Sequence, residues 1–373
     1  MTENKEQPTM ERTIASNPEQ DSNRLHASII TKINAGYFRI CISAAAQGSS
    51  FTMENHNRTP PDLLLLTISN PPHHLHHHLH CLLVPHAMHH RVSLSLLYIL
   101  RCIFHFDIVK AECCHHVGTN YLFAPLISWL LFLHSTPLFI FPNKHAYGYI
   151  WWLLIVPLLA LDVKVYGKWF TSEKKFLSIM ANPTIQISVI GNLVASLLHD
   201  ETGWREIRIC LFTFGITHYV VVFITLYQRL SGSNHIPSDL RPVFFLFVAT
   251  PSMATLAWKS INGSFDIICK MLFFLSLFLF VSLASRQLLF KKSVRRFSVA
   301  WWAFSFPLTF LALASIAYAE QVKGREATGL AIMLSVISVF VFVSLLVCSI
   351  LKIHLLVQKP TLSFSTGLGS TNV

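Results

Sequence analysis

An aromatic residue directly before a proline, inside a long apolar segment, is the most informative chemical pattern in this sequence. Phe306 precedes Pro307 in a charge-free stretch that extends from Phe297 to about Ala319. Proline removes a backbone donor and bends a helix, and membrane helices keep such bends mainly where neighbours or a cavity satisfy the freed carbonyl. The pattern predicts a pore-lining helix in which the Phe306 ring plugs the passage. A kinked helix that faces lipid is the alternative.

Proline recurs inside or at the start of every second apolar segment. The four residues are Pro125, Pro183, Pro251 and Pro307, at intervals of 58, 68 and 56 residues. Each interval is close to the length of a two-helix hairpin, so the spacing predicts a ring of bent inner helices with straighter outer partners. The alternative is that proline is simply commoner in membrane helices than in soluble ones.

An ion that enters such a pore loses water, and the pore must replace it. Complete desolvation of a charge would cost roughly tens of kcal/mol, so the lining must offer dipoles or basic groups that bind weakly. The segments that would line the pore contain almost no acidic residues, which suits an anion. Helix bends and half-helix N-termini add partial positive charge. The candidate hydroxyl donors are Thr184, Ser188 and Ser252, and none of them predicts a strong, dedicated anion site.

Three charged residues near the apolar segments need an explanation. Arg39 would be costly against lipid, so it either attracts anions at the cytoplasmic mouth of the pore or extends its charged end to the interface. Asp162 and Lys164 are close to a helix end and predict a structural ion pair.

The sequence gives little evidence for a metal site or an enzyme active site. Cys113-Cys114-His115-His116 lacks the spacing of a zinc site. No nucleophile and base pair, and no set of metal ligands, occurs at membrane depth. The sequence therefore predicts no enzyme activity, no cofactor and no metal. The net charge of +11 is concentrated between apolar segments, where it determines topology, and does not indicate nucleic-acid binding.

The composition is that of an integral membrane protein. The chain of 373 residues is 53% hydrophobic and only 13% charged, whereas a soluble domain has roughly 25% charged residues. A window of about 19 residues predicts eight good spans, a short ninth at 92–106 and a weak tenth at 35–51. The eight spans are 121–141, 147–166, 182–199, 207–227, 243–259, 266–285, 298–319 and 327–352.

The distribution of basic residues predicts the orientation. Loops that follow every second span are richer in Lys and Arg, and these loops are expected in the cytosol. Both termini then face the cytosol, with an N-terminal tail at 1–34 and a C-terminal tail at 358–373 around a transmembrane domain at 35–357. The N-terminal tail lacks a secretory signal.

Residues 52–91 differ abruptly from their surroundings. Nine of the 20 histidines of the chain occur within 18 residues of this segment, from His73 to His90. A histidine tract can bind metal. The favoured interpretation is that the segment is a gene-model artefact, such as a wrong reading frame or a retained intron.

From Val92 to Val357 the sequence resembles the plant slow-type (S-type) anion channels of the tellurite-resistance and dicarboxylate transporter superfamily. The resemblance covers roughly 70% of the chain, and Ala35-Gly36-Tyr37-Phe38-Arg39-Ile40 is similar to the start of the family's first helix. The motifs that carry it are Tyr98-Ile99-Leu100-Arg101-Cys102, Phe123-Ala124-Pro125, Lys164-Val165-Tyr166-Gly167-Lys168-Trp169, Asn182-Pro183-Thr184, Gly191-Asn192, His218-Tyr219, Thr225-Leu226-Tyr227-Gln228-Arg229-Leu230, Pro251-Ser252, Phe265-Asp266, Ser298-Val299-Ala300-Trp301-Trp302 and Tyr318-Ala319-Glu320.

The resemblance implies an all-α integral membrane fold of ten transmembrane helices in five hairpins, with the first hairpin damaged by residues 52–91. The odd-numbered helices would line a central pore, and three subunits would form a homotrimer or a mixed trimer with related channels. Phe306 matches the family's pore-occluding phenylalanine, and Phe123 resembles a second pore aromatic. The short tails resemble the family branch without long regulatory extensions. The expected role is passage of chloride and nitrate across the plasma membrane, with a regulatory protein kinase as a further partner.

Three other interpretations stay open. A proton-coupled carrier of dicarboxylates such as malate would need a buried ionisable relay on the inner helices, which the sequence does not show. An electrically silent subunit could modify a related channel in a mixed trimer. The damaged first hairpin also allows a product that never folds.

Overall fold

The computed structural model describes scattered helical residues between 92 and 110, residues 119–120 and 122–135, and the ranges 144–171, 183–197, 204–231, 238–286 and 301–351. The predictions for Arg39, for residues 52–91 and for the two tails lie outside the described residues. So does the predicted span at 35–51.

Eight α-helices have defined bounds in the described part of the chain, and two of them follow a short 3-10 helix. Pro183–Ile185 precedes α3, and Ser238–Phe245 precedes α5. The helices are α1 (Phe123–Ser135), α2 (Lys144–Thr171), α3 (Gln186–Ala195), α4 (Arg205–Ser231), α5 (Leu246–Asn262), α6 (Ile267–Ala284), α7 (Trp302–Val322) and α8 (Arg325–Leu351).

Six of these segments are long and apolar enough to cross a membrane: α2, α4, α5 with the end of its 3-10 helix, α6, α7 and α8. The other two, Phe123–His134 and Pro183–Ala195, are shorter apolar helices. All eight coincide with the spans predicted from the sequence. The described part of the chain is thus all-helical, with several membrane-spanning segments, as predicted. It does not include all of the ten predicted transmembrane helices.

The helices form two layers. In the inner layer α1, α3, α5 and α7 pack side by side in that order, and the outer helices α2, α4, α6 and α8 pack against them. Within the membrane-spanning windows, 78% of the residues of α5 and α7 are buried, against 22–33% for the four outer helices. Outer helices that are apolar all round and exposed on one side are what a lipid environment requires.

The four predicted prolines all belong to the inner layer. Pro125 lies in the first turn of α1, Pro183 begins the 3-10 helix before α3, and Pro251 and Pro307 lie inside α5 and α7. An outer helix also contains a proline, Pro157 in α2.

The backbone around Pro251 receives hydrogen bonds from the outer layer. A proline at this position leaves the carbonyl of Phe247, four residues earlier, without its helical donor. The hydroxyl of Tyr219 on α4 donates to that oxygen over 3.4 Å, and Ser276 on α6 donates to the next carbonyl, that of Val248, over 2.8 Å. Neighbouring helices thus satisfy the carbonyls that the proline exposes.

Tight turns hold inner and outer helices together as hairpins. Gly263 ends α5 with φ 73°, a left-handed conformation that suits glycine. Asp266 then caps α6 by accepting the Cys269 N–H over 3.0 Å, and it also accepts the Trp258 indole of α5 over 2.9 Å. The ends of α5 and α7 are joined by Lys259 and Glu320, 3.3 Å apart.

Candidate functional site: the interior of the inner helices

The two predicted gate residues lie in one continuous apolar cluster. Phe123 and Phe306 are 0% and 2% exposed, and their cluster draws side chains from all four inner helices together with α2 and α4. The Phe306 ring packs on Phe310, one turn later, with 4.7 Å between the ring centroids. Aromatic and aliphatic side chains therefore fill the space that the inner helices share.

The three predicted hydroxyl donors have different neighbours. Thr184 accepts a hydrogen bond of 3.1 Å from the amide of Asn120, a contact between the segments that precede α1 and α3. Ser188 is bonded to α2 of the outer layer, and Ser252 is bonded to Ser276 of the outer helix α6. Ser188 and Ser252 thus connect the two layers through their hydroxyl groups.

A cluster of ionisable side chains adjoins Ser188; Asp162 and Tyr166 are buried and His218 is half-buried. Its hydroxyl donates to Asp162 Oδ1 over 2.9 Å and lies 2.6 Å from the Tyr166 hydroxyl, both on α2. The Tyr166 ring stacks on His218 of α4, with centroids 3.3 Å apart and the ring planes within 9° of parallel. His218 Nδ1 lies 2.8 Å from the Phe214 carbonyl. The cluster binds α2, α3 and α4 together.

The prediction of an Asp162–Lys164 ion pair is wrong. Asp162 is 5% exposed and accepts from Ser188, whereas the side chain of Lys164 is exposed. Residues two apart on a helix point in nearly opposite directions, so a carboxylate that faces α3 leaves Lys164 facing away.

A second polar pair, Gln186 and Thr250, joins two inner helices. Thr250 Oγ1 on α5 donates to Gln186 Oε1 on α3 over 2.9 Å, and both side chains are fully buried. Among the described residues, no hydrogen-bond partner contacts Gln186 Nε2. The sequence did not predict this pair, although a glutamine within an apolar span is a visible signal.

A buried arginine lies towards the other end of α3. Arg208 of α4 is 1% exposed; its Nε donates to the Ser196 carbonyl over 3.1 Å, and its Nη2 donates to Ser260 Oγ over 2.6 Å. A cation at the C-terminal end of a helix stabilises the carbonyls there. Arg208 thereby ties the ends of α3 and α5 to the start of α4.

In the described part of the chain, no group of three His, Cys, Asp or Glu side chains could hold a metal ion. The candidate site consists instead of an apolar, aromatic interior with a few buried neutral donors. An interior of this kind offers no strong binding site for an ion.

Comparison with known proteins gives the family of the chain. The model of the voltage-dependent anion channel family (SLAC1) matches residues 33–350. The chain is similar to the S-type anion channel SLAH1 of Arabidopsis thaliana, 49% identical over 91% of this chain and 86% of the relative. It is 47% identical to the S-type anion channel SLAH4 of the same plant, over 96% of this chain and 95% of the relative.

The guard cell S-type anion channel SLAC1 of Arabidopsis thaliana is 42% identical over 70% of this chain, which corresponds to 47% of that longer relative. The matches to SLAH1 and SLAH4 each extend over most of both proteins. The chain therefore belongs to the S-type anion channel family of plants and is a multi-pass membrane protein, not an enzyme.

Proposed function

We propose that the chain is an S-type anion channel that passes chloride and nitrate across the plant plasma membrane through a pore gated by Phe306. The observation that carries the proposal is the burial of Phe306, directly before Pro307, within the apolar cluster that the inner helices share. Phe123 in α1 is the proposed second gate aromatic.

The charges of the inner layer support an anion as the permeant ion. Among the described residues of α1, α3, α5 and α7, the one acidic side chain is Glu320, at the exposed end of α7 and paired with Lys259. Carboxylates along the pore would repel anions, and their scarcity leaves the partial positive charge of the helix N-termini uncompensated.

In the proposed mechanism the Phe306 ring blocks conduction by dewetting, and it opens the pore when it rotates away. The passing ion exchanges water for backbone dipoles and neutral donors, and no site along the pore binds it tightly. We further propose ten helices in five hairpins, both termini in the cytosol, and a homotrimer or mixed trimer. A regulatory kinase would then act from the cytosolic side.

The full chain expressed in oocytes tests the proposal by voltage clamp in chloride and nitrate solutions, alone and together with a longer-tailed relative. Expected is a current whose reversal potential follows the anion gradient. A protein that reaches the surface, carries no current alone and alters the current of the relative would establish the silent-subunit interpretation instead.

One observation favours a second function, proton-coupled transport of dicarboxylates. Buried Asp162 and Tyr166, with half-buried His218, form an ionisable cluster that contacts the inner helix α3 through Ser188. The sequence showed no such group on the inner helices, because the cluster reaches α3 from the outer layer. Malate uptake that collapses with the proton gradient and is lost in Asp162→Asn, without a chloride or nitrate conductance, would support this function.

We also propose that residues 52–91 are an artefact of the gene model within the first hairpin. Their histidine density at a position where the family has membrane helix motivates the proposal. Sequencing the spliced transcript across residues 45–95 tests it. A transcript that encodes the same stretch in a protein that reaches the membrane would disprove it.

A further inference from the structure

We infer that the side-chain amide of Gln186 coordinates the permeating anion at a point in the pore next to the Phe306 gate. The inference deepens the proposed channel function and rests on it. In this inference the neutral amide NH₂ of Gln186 donates a hydrogen bond directly to a small monovalent anion. This bond contributes to the preference between chloride and nitrate.

The neighbours of Ser188 on α3 determine the direction in which Gln186 points. Ser188 faces the outer layer, because its hydroxyl bonds to Asp162 and Tyr166 of α2. Each residue of an α-helix advances about 100° around the axis, so Gln186, two positions earlier, lies about 200° from Ser188. Gln186 thus points away from α2, and its bond to Thr250 of α5 lies within the inner layer.

Thr250 orients the side-chain amide of Gln186. Thr250 Oγ1 donates to Gln186 Oε1 over 2.9 Å and is itself 3.3 Å from the Leu246 carbonyl of its own helix. This bond occupies the oxygen of the amide and leaves the NH₂ group as the free end. No acceptor among the described residues contacts Nε2, although the side chain is 0% exposed.

A buried donor without an acceptor is rare and unfavourable in a folded protein. An anion that enters the pore would supply the missing acceptor, and a donor paired with an ion forms a stronger bond than one paired with a neutral group. The bond is still a single neutral contact, so the ion can leave. Asp162, the buried acidic residue of the neighbouring helix α2, engages the opposite side of α3.

Gln186 and Phe306 lie at a similar depth along the proposed pore. The Phe304 ring contacts Phe245, with 4.3 Å between centroids, and Gln186 contacts Thr250. Phe245 and Thr250 differ by about 8 Å of helical rise, and Phe306 lies about 3 Å beyond Phe304. Gln186 is therefore within about one helical turn of Phe306, where an ion that passes the gate would meet it.

The test compares wild type with Gln186→Leu, which removes the amide at similar volume, and with Gln228→Leu as a matched control on the exposed end of α4. Reversal potentials are measured when chloride is replaced by nitrate. Chloride holds its water more strongly than nitrate does, so loss of a donor should penalise chloride more. Gln186→Leu should raise the nitrate-to-chloride permeability ratio severalfold, and Gln228→Leu should leave it unchanged.

A second measurement does not require conduction. The melting temperature of the purified full chain in lipid nanodiscs is followed against added sodium chloride and sodium nitrate, with gluconate as the balancing anion. A bound ion stabilises the protein in proportion to its occupancy. Gln186→Leu should weaken the apparent anion affinity about tenfold, and Gln228→Leu corrects for general salt effects. Gln186→Met replaces the leucine variant if the latter does not fold.

The outcomes separate the inference from the proposed function. If wild type conducts and Gln186→Leu keeps both the permeability ratio and the anion-dependent stability, the inference fails and the channel function stands. If wild type carries no current but its anion stabilisation depends on Gln186, the site stands and the channel function fails. If neither current nor anion stabilisation appears, both fail.

Discussion

Helices α2 and α5 both contain a proline near their middle, yet the two prolines have opposite surroundings. Pro157 of α2 is exposed on the outer surface, where Leu153, four residues earlier, is 73% exposed. Pro251 of α5 is buried, and the Tyr219 hydroxyl of another helix bonds to the carbonyl that it frees. The difference shows that a proline indicates an inner helix only where a neighbouring helix donates to the carbonyl that the proline leaves without a helical donor.

The same contrast extends to the two layers. Inner helix α5 buries three hydroxyl side chains, and each has a partner in the interior: Thr250 donates to Gln186, Ser252 is bonded to Ser276, and Thr255 donates to the Pro251 carbonyl one turn earlier. The outer helices are the more apolar layer, and about two thirds or more of their membrane-spanning residues are partly buried or exposed. Polar groups are thus concentrated where protein, not lipid, surrounds them.

The largest expected effect concerns the gate in the inner layer. Phe306→Ala should raise the current per surface channel about tenfold or more, because it removes a barrier without removing a binding group. The control is Phe278→Ala on α6, whose ring is 67% exposed, and it should change nothing. Whole-cell current and surface protein are measured together. If Phe306 only packs, truncation should instead cost about 3–5 kcal/mol of stability and lower surface expression.

The close contact between the layers should be the next most sensitive point. A Cβ at Gly215 of α4 would lie 2.9 Å from Leu193 Cδ2 of α3, whereas nothing lies within 4 Å of one at Gly167. Gly215→Val should therefore destabilise the protein by about 1–3 kcal/mol through overpacking. Gly167→Val is the matched control. Equal melting temperatures in nanodiscs for the two variants would contradict the close approach of α4 to α3.

Removal of the Tyr219 hydroxyl tests the comparison of the two prolines. Tyr219→Phe leaves the Phe247 carbonyl without its partner and should cost about 1 kcal/mol, at the low end for a bond of 3.4 Å. Tyr149→Phe on α2, where the ring is 76% exposed, should be neutral. The measurement is the midpoint of thermal unfolding. An unchanged unfolding midpoint for Tyr219→Phe would show that the Phe247 carbonyl, which Pro251 leaves without a helical donor, needs no other partner.

The smallest effect is expected at the hairpin that joins α5 to α6. Desolvation raises the pKa of Asp266, but hydrogen bonds from Trp258 and the Cys269 N–H outweigh it, so the pKa lies below its ordinary value. A carboxyl with a depressed pKa stabilises the folded state above its unfolded pKa of about 3.9, and this contribution is lost as the pH falls through the folded value.

Asp266→Asn keeps the capping oxygen and removes the charge. The variant should lose the part of the acid sensitivity that wild type shows below about pH 4. The expected difference in stability is about 0.5 kcal/mol, which corresponds to a shift of a degree or two in melting temperature. Melting curves at neutral and acid pH measure it. Identical acid dependence in the two proteins would mean that Asp266 does not titrate with unfolding.

The sequence alone determined the membrane class, the positions of eight spans, the proline pattern of alternate helices and the resemblance to the anion channels. These properties are local: a lipid environment selects long apolar segments whatever packs against them. Residues 98–102 and 298–302 were also sufficient, with the other motifs, to indicate the family that the comparisons establish.

Only the tertiary structure decided which polar groups meet. Gln186 and Thr250 are 64 residues apart, as are Asn120 and Thr184. A helix that is apolar on every side has no periodicity from which its inward face could be read, so the outward bonds of Ser188 and the partner of Asp162 were invisible in the sequence. The contacts depend on how neighbouring helices rotate against each other, because a donor in an apolar interior must find its acceptor across an interface.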